Sequence, residues 1–256
     1  MIGATVSVRS TPMASTNNAI VRKGFILRTI DYKDTSKLLY AYTLEGHASM
    51  IARGVKKMNS PLRHQAQTHM LLEMTLSSGK FPTLKEATLL DYYKDIKSDY
   101  IKTNVLSVIS ELIYYNVTFD DNHPLLFQFL LKVANALKTT SAPLEILAIF
   151  EMKFLHFEGI GLNLKACDTC GQKEDLLLDG SAGILTCSAH ANKQHNLYES
   201  TYANALQTFY YVDILTFTPL CMNDTEMRLV LEIIDGLYMT HLAFNSKAKR
   251  ILKSLL

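Results

Sequence analysis

Long apolar runs are missing from this sequence. No stretch approaches the roughly 18 consecutive apolar residues that a membrane-spanning helix requires. The first nineteen residues are rich in Ser, Thr and Asn and contain no continuous apolar segment of the kind found in signal peptides. We therefore expect residues 1–19 to form a flexible tail, and we expect no membrane partner.

Cysteine is also scarce. The chain has four cysteines in 256 residues, and three of them fall within one short segment, so a disulfide framework is not expected. This usage fits a reducing cytoplasm. The fourth cysteine, Cys221, is predicted to be a small core residue.

Signatures of common catalytic sites are absent as well. Gly79-Lys80 lacks the earlier glycine and the following Ser or Thr of a phosphate-binding loop, and Gly159-Ile-Gly161 lacks the third glycine of a dinucleotide fingerprint. Neither H-E-x-x-H nor G-x-S-x-G occurs. The polar cluster Asp120-Asp-Asn-His123 could bind a metal, but its place before Pro124 favours a loop with a helix N-cap. We therefore predict that the protein is not an enzyme.

The sharpest pattern present is Cys167-Asp-Thr-Cys170 followed by Cys187-Ser-Ala-His190. Two ligands with two residues between them form a tight turn, and Gly171 suits the backbone of such a knuckle. Three thiolates and one imidazole make a closed structural zinc site with no open position for catalysis. His195 is an alternative fourth ligand with a longer spacing from Cys187. The simplest alternative is a set of reduced, buried cysteines beside a surface histidine.

Positive charge is concentrated in the first third of the chain. The overall net charge is +2, but Arg22 to Glu86 contains eleven Lys or Arg and five Asp or Glu, a net charge of +6. The remainder of the chain therefore carries −4. This asymmetry indicates a polyanionic partner, although a solvated protein surface would have the same composition.

The hydrophobic pattern divides the chain into a β-rich part and a helical part. About five short strands are predicted between Gly24 and about residue 90, with turns at Glu45-Gly46 and Ser77-Ser-Gly79. Helical periodicity follows from about Asp91, with helices after Pro124 and Pro143, one over 202–215, and one capped by Asn223. We predict an α+β protein: an OB-fold-like β-barrel over 20–90, then a helical domain over 91–256 carrying a zinc knuckle at 167–190.

Several segments resemble one known family. They are Arg-Lys-Gly-Phe-Ile-Leu at 22–27, Tyr-Lys-Asp-Thr-Ser-Lys-Leu-Leu at 32–39, Thr-Leu-Glu-Gly at 43–46, Ala-Arg-Gly-Val-Lys-Lys at 52–57, Phe-Glu-Met-Lys-Phe-Leu-His-Phe-Glu-Gly-Ile-Gly-Leu at 150–162, and the C-x-x-C-G knuckle from Cys167. Together they resemble the RecO family of bacterial recombination mediators. Zinc-bearing members typically have four cysteines where this chain ends its set with His190, and some members lack the knuckle, so zinc is expected to support the fold.

The resemblance implies a non-enzymatic protein of DNA repair and recombination in the bacterial nucleoid. It implies binding of single- and double-stranded DNA, strand annealing, and action with RecR to load RecA onto DNA coated by single-stranded-DNA-binding protein. It also implies an apolar groove in the helical domain for the C-terminal tail of that protein.

Basic residues at strand ends are the expected phosphate contacts. The DNA-binding candidates are Arg22, Lys23, Arg53, Lys56, Lys57 and Arg63. The basic C-terminal end, Lys247 to Lys253, is a second candidate. Tyr40 and Tyr42 could stack on bases, but partial core packing is favoured.

Two other functions stay open at this level. A zinc hydrolase predicts metal-dependent turnover, which the closed ligand set disfavours. A zinc-stabilised protein-interaction module predicts no direct DNA binding, which the +6 segment disfavours less strongly.

Overall fold

The computed structural model describes residues 19–118, 122–180 and 182–256 as an α+β protein. A five-stranded sheet comprises β1 (Ile20–Tyr32), β2 (Ser36–Thr43), β3 (Gly46–Ala52), β4 (Leu71–Leu76) and β5 (Leu84–Asp91). The first helices are α1 (Lys94–Lys97), α2 (Tyr100–Asn116), α3 (His123–Thr139) and α4 (Pro143–Phe157). A small sheet of β6 (Leu176–Asp179), β7 (Ile184–Cys187) and β8 (Leu197–Tyr198) precedes α5 (Ser200–Tyr211), α6 (Asp224–Leu242) and α7 (Lys247–Lys253).

The N-terminal sheet is antiparallel, in the order β3-β2-β1-β4-β5. β1 lies at the centre because its thirteen residues are long enough to pair with β2 over one half and with β4 over the other. Between the two edge strands, the described residues form one isolated parallel bridge, Ile51 to Thr83, and no ladder. The prediction of five strands is confirmed, but the described residues do not show a closed barrel.

The central strand contributes to two apolar cores. Ile26 belongs to a core inside the sheet with Leu39 and Leu72, whereas its neighbours Phe25 and Leu27 belong to the large core of the helices. This division follows from the alternation of side chains along a strand. The sheet and the helices are therefore packed against one another through buried apolar side chains.

Close backbone approach also joins the two parts. Gly46 has φ of +94°, and a Cβ there would lie 2.7 Å from Nε2 of His123 at the start of α3. Only glycine fits both the left-handed backbone and this contact.

The predicted helices are confirmed where an N-cap residue or a proline marks the start of the helix. The side chain of Asn122 accepts a hydrogen bond from the backbone N–H of Leu125, with Pro124 in the first turn of α3, and Pro143 starts α4. Asn223 and Glu226 form the reciprocal capping box of α6. The N-cap interpretation is confirmed for Asn122, whereas Asp120 and Asp121 lie outside the described residues.

Three details differ from the sequence prediction. The helix predicted over 202–215 spans Ser200–Tyr211. The small sheet around the knuckle has strands of only two to four residues, too short to show a sequence pattern. Cys221 is exposed, with φ of +57°, and the prediction of a core residue was wrong because this residue lies in the loop before α6.

Within the described ranges, no helix is both long and apolar enough to cross a membrane. The expected tail, residues 1–19, lies outside the described residues except for Ala19.

Candidate metal centre and nucleic-acid interface

The predicted knuckle residues converge on one point. The ligand atoms of Cys167, Cys170, Cys187 and His190 all lie within 4.8 Å of one another. Sγ of Cys170 is 3.8 Å from Sγ of Cys187, which is 3.2 Å from Nδ1 of His190. Because a tetrahedral zinc with Zn–S bonds of about 2.3 Å gives sulfur–sulfur edges of about 3.8 Å, this set has the size of a metal site.

Backbone hydrogen bonds hold the first two cysteines in place. The N–H of Gly171 donates to the carbonyl oxygen of Cys167 at 2.9 Å, and Gly171 has the positive φ, +75°, that the sequence interpretation required. The N–H of Asp168 donates to the carbonyl oxygen of Leu185 at 2.9 Å, which ties the first turn to β7. Cys187 ends β7, opposite Leu176 of β6. The small sheet thus brings the two halves of the ligand set together.

The electrostatics of the cluster favour the thiolate form of two of its cysteines, Cys167 and Cys187. The backbone N–H of Cys170 hydrogen-bonds the sulfur of Cys167 and lowers the pKa of that thiol to about 6. Burial acts to raise the pKa of Cys187, but hydrogen bonds from the His190 side chain and from the backbone of Ala189 and His190 lower it overall, and the side-chain contact raises the pKa of His190. Since the thiolate is the form of cysteine that binds metals, the turn prepares these two sulfurs for a cation.

His195 is not part of this cluster. Its Nδ1 lies 2.5 Å from Oδ2 of Asp179, a largely buried carboxylate on β6. The alternative in which His195 replaces His190 is therefore wrong, because the Asp179 carboxylate holds the His195 ring in a different contact.

The six predicted DNA-binding residues fall into two groups. Arg22 and Lys23 lie near the start of β1, where Arg22 is 3.8 Å from Glu45 and Lys23 is opposite Glu73. The others, Arg53, Lys56, Lys57 and Arg63, follow β3 at the opposite end of the sheet, roughly 30 Å away along β1 at about 3.3 Å per residue. The sheet does not bring all six residues together.

Two residues of the second group, Lys56 and Arg63, line a groove of about 510 Å³, here called the basic groove, and Arg53 and Lys57 lie close to this lining in the sequence. The lining residues of the groove are Asp31, Lys37, Val55, Lys56, Arg63, His64, Ala66 and Gln67. Nζ of Lys56 donates to Oδ2 of Asp31 at 2.7 Å, and this hydrogen bond, together with the charge of Lys37, lowers the pKa of Asp31. Lys56 is therefore neutralised in part. In the described ranges, Arg53, Lys57 and Arg63 are exposed and have no ion pair.

The sequence of the chain matches known proteins over both parts of the fold. The family model described as "Recombination protein O N terminal" matches residues 18–93, and "Recombination protein O C terminal" matches residues 97–250. The chain belongs to the RecO family.

Curated relatives are similar along nearly their whole length. "DNA repair protein RecO" of Bacillus cytotoxicus is 26% identical over 243 residues, covering 91% of this chain and 96% of that protein. The protein of the same name from Halalkalibacterium halodurans is 24% identical over 241 residues, covering 91% and 94%. The one from Bacillus cereus (strain AH187) is 26% identical over 243 residues, with 91% and 96% covered. These RecO homologues indicate a protein of DNA repair and recombination.

The C-terminal basic residues of this RecO-family chain are largely engaged within the protein. Nζ of Lys249 is buried and lies 2.8 Å from Glu151 and 2.7 Å from Asp235. Lys253 is 3.0 Å from Asp235. The interpretation of the whole Lys247 to Lys253 segment as a phosphate-binding surface was therefore wrong for these two residues, because carboxylates of α4 and α6 neutralise them.

Two tyrosines of the sheet pack as expected. Tyr42 is fully buried, with its hydroxyl 3.0 Å from Nδ1 of His123, and the ring of Tyr40 packs edge-on against Tyr114 at 5.3 Å. Core packing is confirmed for Tyr42, and Tyr40 is half-buried.

Two residues of the basic groove, Lys37 and His64, were not predicted from the sequence. Lys37 lies within the family-like segment 32–39, and pairing of β2 with β1 brings it beside Asp31. Strand register was the missing information, because register decides which distant cations meet.

Proposed function

We propose that this RecO-family protein is a DNA-binding recombination mediator whose five-stranded sheet acts as an OB-fold-like DNA-binding domain spanning residues 20–90. It binds single- and double-stranded DNA and promotes annealing. With RecR it loads RecA onto DNA coated by single-stranded-DNA-binding protein, in the bacterial cytoplasm. The observation that carries the proposal is the exposure of Arg53, Lys57 and Arg63 beside the basic groove, free of ion pairs in the described part of the chain.

Unpaired cations at one end of the sheet fit this role because phosphate binding is driven by release of counterions from DNA. A surface that holds two strands also lowers their mutual repulsion and raises their local concentration. Base pairing then supplies the specificity. No catalytic residue is needed, in keeping with a mediator that is not an enzyme.

We propose zinc as the metal of the knuckle, with Cys167, Cys170, Cys187 and His190 as its four ligands. The donor set suits zinc, and four protein ligands leave no coordination position for a reacting water. The ion would support the fold of the helical domain, proposed to span residues 91–256, by holding the small sheet against α5.

The helical part has an apolar groove suited to the tail of single-stranded-DNA-binding protein. A cavity of about 440 Å³ between α3, α4 and α5 is lined by aromatic rings, and by Lys132 and Lys153. The rings belong to Phe129, Phe157, Tyr210 and Tyr211. A C-terminal tail ends in a carboxylate, which these lysines would attract while apolar side chains enter the groove.

A pull-down with the full chain tests this tail site. We expect Tyr211→Glu, which places a negative charge on an exposed wall of the groove, to lose capture of a tail peptide. Lys193→Glu, on the exposed knuckle surface, should retain it. Equal capture of the tail peptide by both variants would contradict the proposed tail site.

The rate at which two complementary oligonucleotides anneal tests the main proposal. Energy transfer between dyes on the two strands measures this rate. The wild-type protein should accelerate annealing, and the triple variant Arg53→Gln, Lys57→Gln and Arg63→Gln should be slower. A matched variant removes three exposed cations outside the sheet, Lys173→Gln, Lys193→Gln and Arg228→Gln, and should behave as wild type. Absence of any DNA binding by the wild type would favour the interaction module.

A further inference from the structure

A second cavity lies where the sheet meets the helices, and we call it the seam pocket. It has a volume of about 330 Å³ and is walled by β1, the segment before β4, α2 and the start of α7. Its lining includes Arg28, His69, Ser110, Tyr114, Tyr115 and Lys247. The size is at the lower end of that of small-ligand sites, which run from about 300 Å³.

One wall of the seam pocket combines exposed aromatic rings with positive charge. The guanidinium of Arg28 lies 5.4 Å from the ring centroid of Tyr114 and donates to Oη of Tyr115 at 3.1 Å. Tyr115 is 56% exposed, and its ring contacts Tyr114 edge-on at 4.8 Å and Phe244 at 6.1 Å between centroids, so the exposed part of the ring is the surface offered to a ligand. Lys247 is exposed and makes no ion pair within the described ranges. Stacking surfaces beside cations are the elements with which proteins hold single-stranded nucleic acids.

A polar group in the seam pocket lacks a partner. Ser110 is 3% exposed, and its Oγ has no hydrogen-bond partner among the described residues. An unsatisfied buried hydroxyl is costly, and a ligand able to donate or accept a hydrogen bond would satisfy it. The edge of a nucleobase provides both kinds of group.

Negative charge in the pocket is engaged elsewhere. Glu111 also lines it, but Oε2 of this carboxylate accepts hydrogen bonds from the Ser246 hydroxyl at 2.6 Å and the Ala248 backbone N–H at 2.7 Å. His69 contributes no charge at neutral pH, because burial lowers its pKa to about 4. The two cations, Arg28 and Lys247, therefore leave the pocket net positive.

The seam pocket and the basic groove are neighbours. Ala66 and Gln67 line the basic groove, and the next two residues, Thr68 and His69, line the seam pocket. Along β1, Asp31 lies at the groove and Arg28 at the pocket, about 10 Å apart at about 3.3 Å per residue. Arg28 and Asp31 are three residues apart, so their side chains lie on opposite faces of β1. Arg28 is opposite Tyr40, which packs against Tyr114 of α2, whereas Asp31 is opposite Lys37 on the face of Leu39. The groove and the pocket are therefore neighbouring but separate sites.

We propose that the seam pocket binds one unpaired nucleotide of a single DNA strand. Arg28 and Lys247 bind its phosphate, Tyr115 stacks on its base, and Ser110 hydrogen-bonds the base edge. The proposal rests on the DNA-binding function proposed above. It gives the protein a contact that duplex DNA cannot make, because a base in a duplex is already stacked and paired.

Affinity for a labelled oligothymidylate and for a labelled duplex of equal length tests this site. Tyr115→Ala and Lys247→Gln should each weaken single-strand binding, the former by about tenfold, which is within the range for loss of one stacked base. Duplex affinity should change less than twofold. Tyr115→Phe keeps the ring and should retain most of the single-strand affinity. Unchanged melting temperatures would establish that the variants are folded.

The outcomes separate the two proposals. If the triple variant of Arg53, Lys57 and Arg63 weakens binding of both DNA forms while Tyr115→Ala and Lys247→Gln bind like wild type, the seam pocket is overturned and the basic groove stands. Equal weakening of single-strand and duplex binding by Tyr115→Ala would also overturn it. If the wild type binds neither DNA, both proposals fail.

Discussion

His190 and His195 are five residues apart, yet only His190 contributes a nitrogen to the cysteine cluster. The difference arises from tertiary structure, since Asp179 on β6 engages the His195 ring. The spacing of Cys187 and His190 predicted that His190, and not His195, lies with the cysteines, because two intervening residues form a compact turn. The Asp179 contact was not predictable, because it depends on the β6–β8 pairing.

Removal of a knuckle ligand should release the metal and destabilise the protein. We expect Cys170→Ser and His190→Ala to bind less than one zinc per chain by elemental analysis. Their melting temperatures should fall by on the order of 10 °C, since metal binding by such sites is coupled to folding. His195→Asn should keep its zinc. A wild-type protein that contains no metal and melts unchanged with chelator would contradict the assignment.

His69 should make the stability of the protein sensitive to acid. Burial, with a smaller effect of the Lys97 charge, lowers its pKa from 6.5 to about 4 in the folded protein. The unfolded chain therefore binds this proton first, so stability is unaffected above about pH 6.5 and falls as the pH decreases towards 4. The loss contributed by His69 is about 3 kcal/mol at most.

Urea denaturation at several pH values measures this effect. His69→Asn is the suitable comparison, because asparagine tolerates the φ of +56° at this position and does not titrate. The variant should lose less stability between pH 6.5 and 4 than the wild type. If the free energy of unfolding fell equally with pH in the two proteins, His69 would be excluded as the source of the acid sensitivity.

At the scale of elements, α7 is fastened to the helical core by charge as well as by apolar contact. Lys249 is 1% exposed and contacts Glu151 of α4 and Asp235 of α6. Burial raises the pKa of Glu151 to about 7, against the opposing effect of the Lys249 charge. The basic sequence of α7 suggested an exposed surface, and only the packing against α2, α4 and α6 reveals a buried lysine.

Lys249→Met should destabilise the protein by about 3–5 kcal/mol in urea denaturation, because it leaves Glu151 as a buried carboxylate without its partner. The double variant Glu151→Leu with Lys249→Met should recover much of that loss, since no charge remains to desolvate. Lys247→Met, on the exposed side of the same helix, is the control and should change stability little. A double variant as unstable as the single one would show that packing, and not charge, holds α7.

The predictability of the elements depended on local signals. Helices α3, α4 and α6 begin at prolines or at an N-cap that the sequence displays, and their bounds follow. The strands of the first sheet were recognised by composition. Whether β3 and β5 join was not predictable, because closure depends on pairing between edges distant in sequence. For the same reason the sequence did not separate Arg22 and Lys23 from the cations after β3.

At the scale of the whole molecule, the basic segment of the sequence forms the part of the fold that carries the exposed cations beside the basic groove. The net charge of +6 in residues 22–86 includes the three exposed, unpaired cations beside the basic groove. The seam pocket lies on the opposite face of β1, towards the helices, and adds a base-stacking group to the phosphate-binding groups of the groove. The proposed DNA-binding function therefore depends on contact between this end of the sheet and DNA phosphates.

Fluorescence anisotropy of a labelled single DNA strand across a salt series tests most directly whether this end of the sheet contacts DNA phosphates. The wild-type affinity should decrease linearly with salt on logarithmic axes. The variant lacking Arg53, Lys57 and Arg63 should bind more weakly, with a slope shallower by up to about 2, since three phosphate contacts contribute about 0.7 each. The Lys173, Lys193 and Arg228 variant should keep the wild-type slope. Identical slopes for the wild type and the groove variant would contradict the assignment of the basic groove to DNA.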